Sequence, residues 1–159
     1  MNLKSKRSLF PFLLVLVAFL GVLDTTYLSV SELKGTSLLC GEALDCDGVT
    51  SSEYSRIMGI PVAYLGFLFY STFFFISLTI ATFKKRFLVL PLFLLSIAGF
   101  GASVWFVFAQ LVLLRSVCIY CMFSAITSTT LFFLTLYLWR NLEKIVPPFP
   151  IDSTESEQV

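Results

Sequence analysis

The stretch FLVLPLFLLSIAGFGASVWFVFAQ, residues 87–110, runs for twenty-four positions without a charged side chain. Crossing a bilayer core about 30 Å thick takes about 20 helical residues. In lipid, only a helix satisfies its own backbone groups within one segment. The stretch therefore reads as a membrane-spanning helix. Three more segments of the same kind lie at 9–30, 61–83 and 116–139, each dominated by Leu, Phe, Val and Ile. The expected fold is all-α: an integral membrane four-helix bundle with an external cysteine-bearing loop at 31–60 and a short capping helix within that loop.

Composition agrees. The chain has 159 residues, 57% hydrophobic and 13% charged, with a mean hydropathy of +0.90. A soluble domain of this length has too much surface to carry such a composition. The first segment follows Lys4, Lys6 and Arg7, as a signal peptide would. Its apolar run exceeds the usual length, however, and no A-x-A-like site closes it, so it is read as an uncleaved span. Residues 1–146 then form one four-span domain, and the polar tail from 147 to 159 (PPFPIDSTESEQV) is expected to be disordered.

Basic residues set the expected orientation. Lys4, Lys6 and Arg7 precede the first span, Lys84, Lys85 and Arg86 separate the second and third, and Arg140 and Lys144 follow the fourth. These belong on the cytoplasmic side, with both termini. The loop at 31–60 faces the other way and is acidic: Glu32, Glu42, Asp45, Asp47 and Glu53 stand against Lys34 and Arg56. The net charge of +1 says nothing about partners, and no nucleic-acid partner is expected.

Within the loop, Thr50-Ser51-Ser52-Glu53 fits a capping box, with Thr50 as N-cap and Glu53 at the third helical position. A short helix to about Met58 is expected, stopped by Gly59 and resting Tyr54, Ile57 and Met58 on the bundle as a partial lid. Pro61 suits the first turn of the second span.

The chain contains no histidine, which removes the commonest general base and metal ligand. Chemistry must rest on cysteine, carboxylate, hydroxyl or a bound cofactor. The four cysteines are Cys40 and Cys46 in the loop and Cys118 and Cys121 at the start of the fourth span. With the orientation above, all four lie on the non-cytoplasmic side, where disulfides persist. Cys118 and Cys121 are one helical turn apart, a backbone separation of about 5–6 Å that a disulfide can bridge. Cys118 also lies near a helix N-terminus, where the dipole favours thiolate, and Arg115 is positioned to add to that effect. Three readings of the four cysteines stand: a redox relay, static staples and a zinc site. A bridge between Cys118 and Cys121 constrains almost nothing, and the loop spacing is wider than in typical zinc fingers, so the relay is preferred. Gly35, Gly41 and Gly48 give the loop the mobility a relay needs.

Cys40-x5-Cys46, then Cys46-Asp-Gly-Val49-x-x-Ser52-x-Tyr54, then Gly59-Ile-Pro61 leading to Gly66, and finally Cys118-Ile-Tyr-Cys121 occur in order across 21–128. This ordered set resembles the vitamin K epoxide reductase family, particularly its bacterial, quinone-linked members that drive disulfide formation. The resemblance implies that a reduced thioredoxin-like protein, periplasmic or extracellular, gives electrons to Cys40. It further implies passage through Cys46 to Cys118, and a quinone (ubiquinone, menaquinone or a vitamin K-type compound) beside Cys121. The serine matching Ser52 is associated with the active site in relatives and is carried over as an assisting hydroxyl. Tyr54 and Gly66 are carried over to the quinone site.

Many bacterial relatives carry a fifth span and a fused thioredoxin-like domain, whereas about twenty residues follow Trp139 here, so the partner is expected in trans. Vertebrate enzymes have a tyrosine and an asparagine where this chain has Ala125 and Val62, which argues against epoxide turnover of their kind. Asp24 is the only acidic residue within a span. It is therefore a candidate for the quinone site and its protons, with Gln110 a weaker one. The expected protein is a quinone-dependent, disulfide-generating oxidoreductase of the plasma (inner) membrane. Two alternatives remain: a vitamin K epoxide or quinone reductase in the narrow sense, and a non-catalytic tetraspan protein with structural disulfides. The other quinone-linked disulfide-generating family fits less well, since there the CxxC precedes the loop pair.

Overall fold

The computed structural model describes residues 3–38, 40 and 46–142. The tail from 147, the domain boundary at 146, and loop residues Gly41, Glu42 and Asp45 lie outside the described residues. In chain order the helices are α1 (Leu3–Lys34), α2 (Cys46–Thr50), α3 (Val62–Phe83), α4 (Val89–Phe108) and α5 (Ile119–Arg140). All but α2 are long and apolar enough to cross a membrane. Helix α1, with 32 residues, is about 48 Å long, so it extends beyond the hydrocarbon core. The chain folds as the all-α membrane bundle that its hydropathy predicts.

Aromatic pairs show how three of the four long helices run. Phe10 near the start of α1 meets Tyr137 near the end of α5 at 5.1 Å, and Tyr27 meets Tyr120 at 5.0 Å, so α1 and α5 are antiparallel. Phe93 stacks on Trp139 and Phe100 on Phe132, at 5.4 and 4.8 Å, which makes α4 and α5 antiparallel too. Between α1 and α3, small residues let the backbones close up, as membrane interfaces commonly require. A Cβ on Gly21 would lie 2.3 Å from the Tyr70 ring, and one on Gly66 would lie 3.1 Å from Thr25 Cγ2. The core between the helices is Leu14, Ala18, Tyr70, Phe73, Ile80, Val89, Leu92, Leu131 and Leu138.

At one end of the bundle, Lys84 closes α3 in the left-handed conformation (φ 52°), its N–H bonded to the Ile80 carbonyl. The basic Lys84-Lys85-Arg86 link lies at that end. The external loop and the described cysteines lie at the opposite end.

The loop differs from the sequence expectation. Thr50 does not cap a following helix; it ends α2, and its hydroxyl donates back to the Cys46 carbonyl at 2.9 Å. With that hydroxyl committed inside α2, the capping box cannot form. The chain continues as one 3₁₀ turn (Glu53–Ser55) and a two-stranded hairpin, β1 (Arg56–Ile57) and β2 (Ile60–Pro61). Met58 and Gly59 turn it with φ of 54° and 83°, the positive pair that a two-residue type I′ turn requires. Gly59 thus has its left-handed conformation, but in a hairpin and not at a helix end. The expected apolar stripe is not laid on the bundle: Met58 is 99% exposed, and Tyr54 and Ile57 are also exposed. Gly48 is helical, inside α2, and does not hinge the loop there. Arg56 reaches back to Glu32 on α1 in a 2.7 Å ion pair, which ties the hairpin to the bundle.

Candidate active site

The loop pair is brought together locally. The backbone N–H of Leu38 donates to Asp47 Oδ1 at 2.9 Å, which draws the segment before Cys40 onto the first turn of α2. Cys40 and Cys46 are joined as a disulfide, Cα to Cα 6.2 Å. Cys118 and Cys121 are free thiols. Cys46, Val49 and Cys118 form one buried cluster, and Cys40, Cys121, Leu38, Leu114 and Tyr120 pack against it. All four cysteines therefore share one apolar nest.

Helix α5 begins at Ile119, three residues later than hydropathy suggests, so Cys118 is not in its first turn. Cys118 is the N-cap, extended at φ −101° and ψ 121°, and its sulfur accepts from the Cys121 N–H at 3.5 Å. This places the sulfur at the positive end of the helix, where thiolate is favoured. The thiol is lowered from its usual range to about 7. The largest cause is a hydrogen bond from the Cys121 thiol; burial opposes it, the N–H groups of Cys121 and Tyr120 reinforce it, and the Asp24 charge opposes it. Arg115 is not among the groups that shift it. Its part is conformational: at φ 51° it closes the turn after α4.

Beneath the loop a cavity of about 620 Å³ opens between the helices, with Cys121 in its wall. Ser52, Tyr54 and Gly66 also line it, whereas Asp24 does not. The Ser52 hydroxyl donates to the Val49 carbonyl at 2.7 Å. Asp24 Oδ2 is buried with no hydrogen-bond partner.

Residues that sequence reasoning passed over complete the wall. Tyr70 donates to the Ser124 carbonyl at 2.7 Å, and its oxygen lies 3.1 Å from Ser124 Oγ. Ser128 Oγ faces the same space, buried and without a partner in hydrogen-bond geometry. Cys121, Ser124 and Ser128 are spaced i, i+3, i+7, one face of a helix, so this polar stripe on an apolar span was legible. Gln110, weighed only as a weak proton source, belongs to a π-helical turn (Ala109–Leu114) after α4 and accepts from the Cys118 N–H at 3.0 Å.

A sequence model described as the vitamin K epoxide reductase family matches residues 12–136. Thiol-disulfide oxidoreductase LTO1 of Arabidopsis thaliana is 30% identical over 123 residues, covering 72% of this chain and 33% of that protein. The chain thus spans about a third of the length of this curated relative.

Proposed function

Because the chain belongs to the vitamin K epoxide reductase family, we propose that it is a membrane thiol oxidoreductase that generates disulfides by passing electrons from a thioredoxin-like dithiol to a membrane quinone. The observation that carries this reading is the buried cluster holding Cys46 and Cys118, with Cys40 on its loop side and Cys121 on the cavity wall.

Thiol–disulfide exchange needs a thiolate and a reachable sulfur. A partner thiolate attacks Cys40 of the loop disulfide, Cys46 leaves as thiolate, and the partner's second thiol resolves the mixed disulfide. The partner is oxidised, and Cys40 and Cys46 hold its two electrons. When Cys118 and Cys121 are disulfide-bonded, the Cys46 thiolate attacks Cys118 and displaces Cys121. Cys40 then attacks Cys46, re-forming the loop disulfide and releasing Cys118. The described arrangement, loop pair oxidised and CxxC pair reduced, is compatible with the state this transfer would leave.

The cavity fits a quinone head group. Its volume lies in the range of small-molecule sites, about 300–1,000 Å³. The unpartnered Ser128 hydroxyl offers a hydrogen bond to a carbonyl oxygen, and Cys121, Tyr70 and Ser124 stand around the same space. A bound quinone, ubiquinone or menaquinone, would supply the sink for two electrons and two protons. The chain's own residues hold the Cys118 sulfur against the Cys121 thiol and N–H. Val62 and Ala125 both line the cavity, so those positions are apolar, which favours a quinone over an epoxide as substrate.

The basic link at 84–86 supports an orientation with both termini cytoplasmic and the cysteines outside. The test is purified protein with a reduced thioredoxin-like dithiol and a quinone, followed by absorbance. Cys121→Ala is expected to stop quinone reduction, and Cys40→Ala to block oxidation of the dithiol. Partner oxidation at the normal rate in a loop-cysteine variant overturns the relay.

A further inference from the structure

We propose that Gln110 is a positioning residue for Cys118, completing from the preceding helix the cap of α5 that the CxxC pattern leaves unfinished. In a capping box the N-cap side chain bonds the N3 backbone N–H, and the N3 side chain, a Glu or Gln, reaches back to the N-cap N–H. Here the first half is present: Cys118 Sγ accepts from the Cys121 N–H. The second half cannot come from N3, because N3 is Cys121, a weak acceptor whose sulfur lies on the cavity wall.

Gln110 Oε1 takes that place, accepting from the Cys118 N–H at 3.0 Å. The residue is 3% exposed, so neither group is left to water, and a buried N–H without a partner is rarely tolerated.

The backbone is arranged to deliver this side chain. The Gln110 carbonyl accepts from the N–H of Arg115 and from that of Ser116, the latter at 3.2 Å. One residue thus satisfies three donors in the link between α4 and α5. The π turn and the left-handed Arg115 are what bring the chain back over it; π turns occur mostly as single turns, frequently at functional sites. The Gln110 side chain bonds the Cys118 backbone N–H. It acts through the Cys118 backbone, holding the extended cap conformation from which the sulfur meets the N-terminus of α5.

The consequence for turnover rests on the relay proposed above, but the test does not depend on it. In the reduced full-length chain in detergent, the Cys118 thiolate is followed across pH 5.5–9.5 by its ultraviolet absorbance against a Cys118→Ser chain, and the Cys118 amide by hydrogen exchange, neither of which needs a reagent to reach the buried sulfur. Gln110→Met, of similar length but lacking the carbonyl acceptor, is expected to move the Cys118 midpoint upward and to speed exchange of its amide by about tenfold. Gln110→Glu, which keeps an acceptor oxygen but adds a carboxyl that opposes the thiolate, is expected to restore protection of the Cys118 amide while leaving the midpoint raised. Three results overturn the proposal: an unmoved midpoint in Gln110→Met, equal exchange of the Cys118 amide in the two variants, or faster exchange throughout α5 in Gln110→Met, which signals loosened structure. Failure of the unsubstituted chain to reduce quinone overturns the relay alone and leaves this role standing.

Discussion

Cys46 and Cys118 are buried in one cluster with Val49, although the chain between them crosses the membrane twice. Their partners diverge: Cys40 lies on the loop side, and Cys121 borders the cavity. A pair of sulfurs enclosed in apolar packing is shielded from stray thiols. Exchange between them is favoured by proximity, since holding reactants in place replaces a bimolecular step with a unimolecular one.

That relationship predicts a specific trapped species. With Cys40→Ser and Cys121→Ser combined, neither resolving thiol remains, so oxidation is expected to join Cys46 to Cys118. Non-reducing peptide mapping should find that cross-link as the dominant disulfide. A chain that yields only dimers through Cys46, or no disulfide at all, would show that the two sulfurs do not meet.

Cys118 should titrate well below an ordinary cysteine. Its thiol is lowered to about 7, so the thiolate persists down to that pH. Thiolate absorbance of the reduced chain, taken against a Cys118→Ser chain, is expected to be half-maximal near pH 7 and to fall toward roughly a tenth for each further pH unit below, following the thiolate fraction. A midpoint near the usual 8.5 would mean that the N-cap geometry is not kept in solution.

The four spans were legible because the cost of unpaired backbone in lipid leaves hydropathy little freedom to mislead. The CxxC at a helix start was legible for the same reason, to within the three residues by which α5 begins late. The loop was not. Its local signal, Thr50 through Glu53, competed with a bond that no short pattern reveals, the Thr50 hydroxyl turning back to Cys46. The positive φ of Met58 and Arg115 was also hidden, since nothing in either residue type favours that conformation. The role of Gln110 depended on that second turn, and so stayed out of reach.

Gly99 limits the cavity. A Cβ there would lie 2.3 Å from the Phe69 ring and 3.0 Å from Ser128 Oγ, and both residues line the site. Gly99→Val is expected to push Phe69 into the cavity and raise the KM for quinone about tenfold, with Cys40–Cys46 oxidation of the dithiol partner in a single turnover unchanged. Steady-state kinetics at several quinone concentrations check this, and an unchanged KM would place the head group elsewhere.

Gly21 sets the approach of α1 and α3. Its missing Cβ makes room for the Tyr70 ring, which is fully buried. Gly21→Val overfills that contact, at a cost of about 1–3 kcal/mol typical of core overpacking. Thermal unfolding in detergent should show the loss, and an unchanged unfolding temperature would mean that the helices separate to admit the side chain.

Asp24 separates electrostatics from proton supply. Its charge opposes the Cys118 thiolate, so Asp24→Asn removes an unfavourable neighbour. The Cys118 midpoint, read from thiolate absorbance, is expected to move down. The carboxyl does not line the cavity, so quinone turnover is expected to hold within about a factor of two. A loss of tenfold or more in a folded Asp24→Asn chain, despite the more acidic thiol, would put this carboxyl on the proton path. Of the two readouts, the Cys118 midpoint reports the field at that sulfur and turnover reports protons, so each result is assigned to one cause.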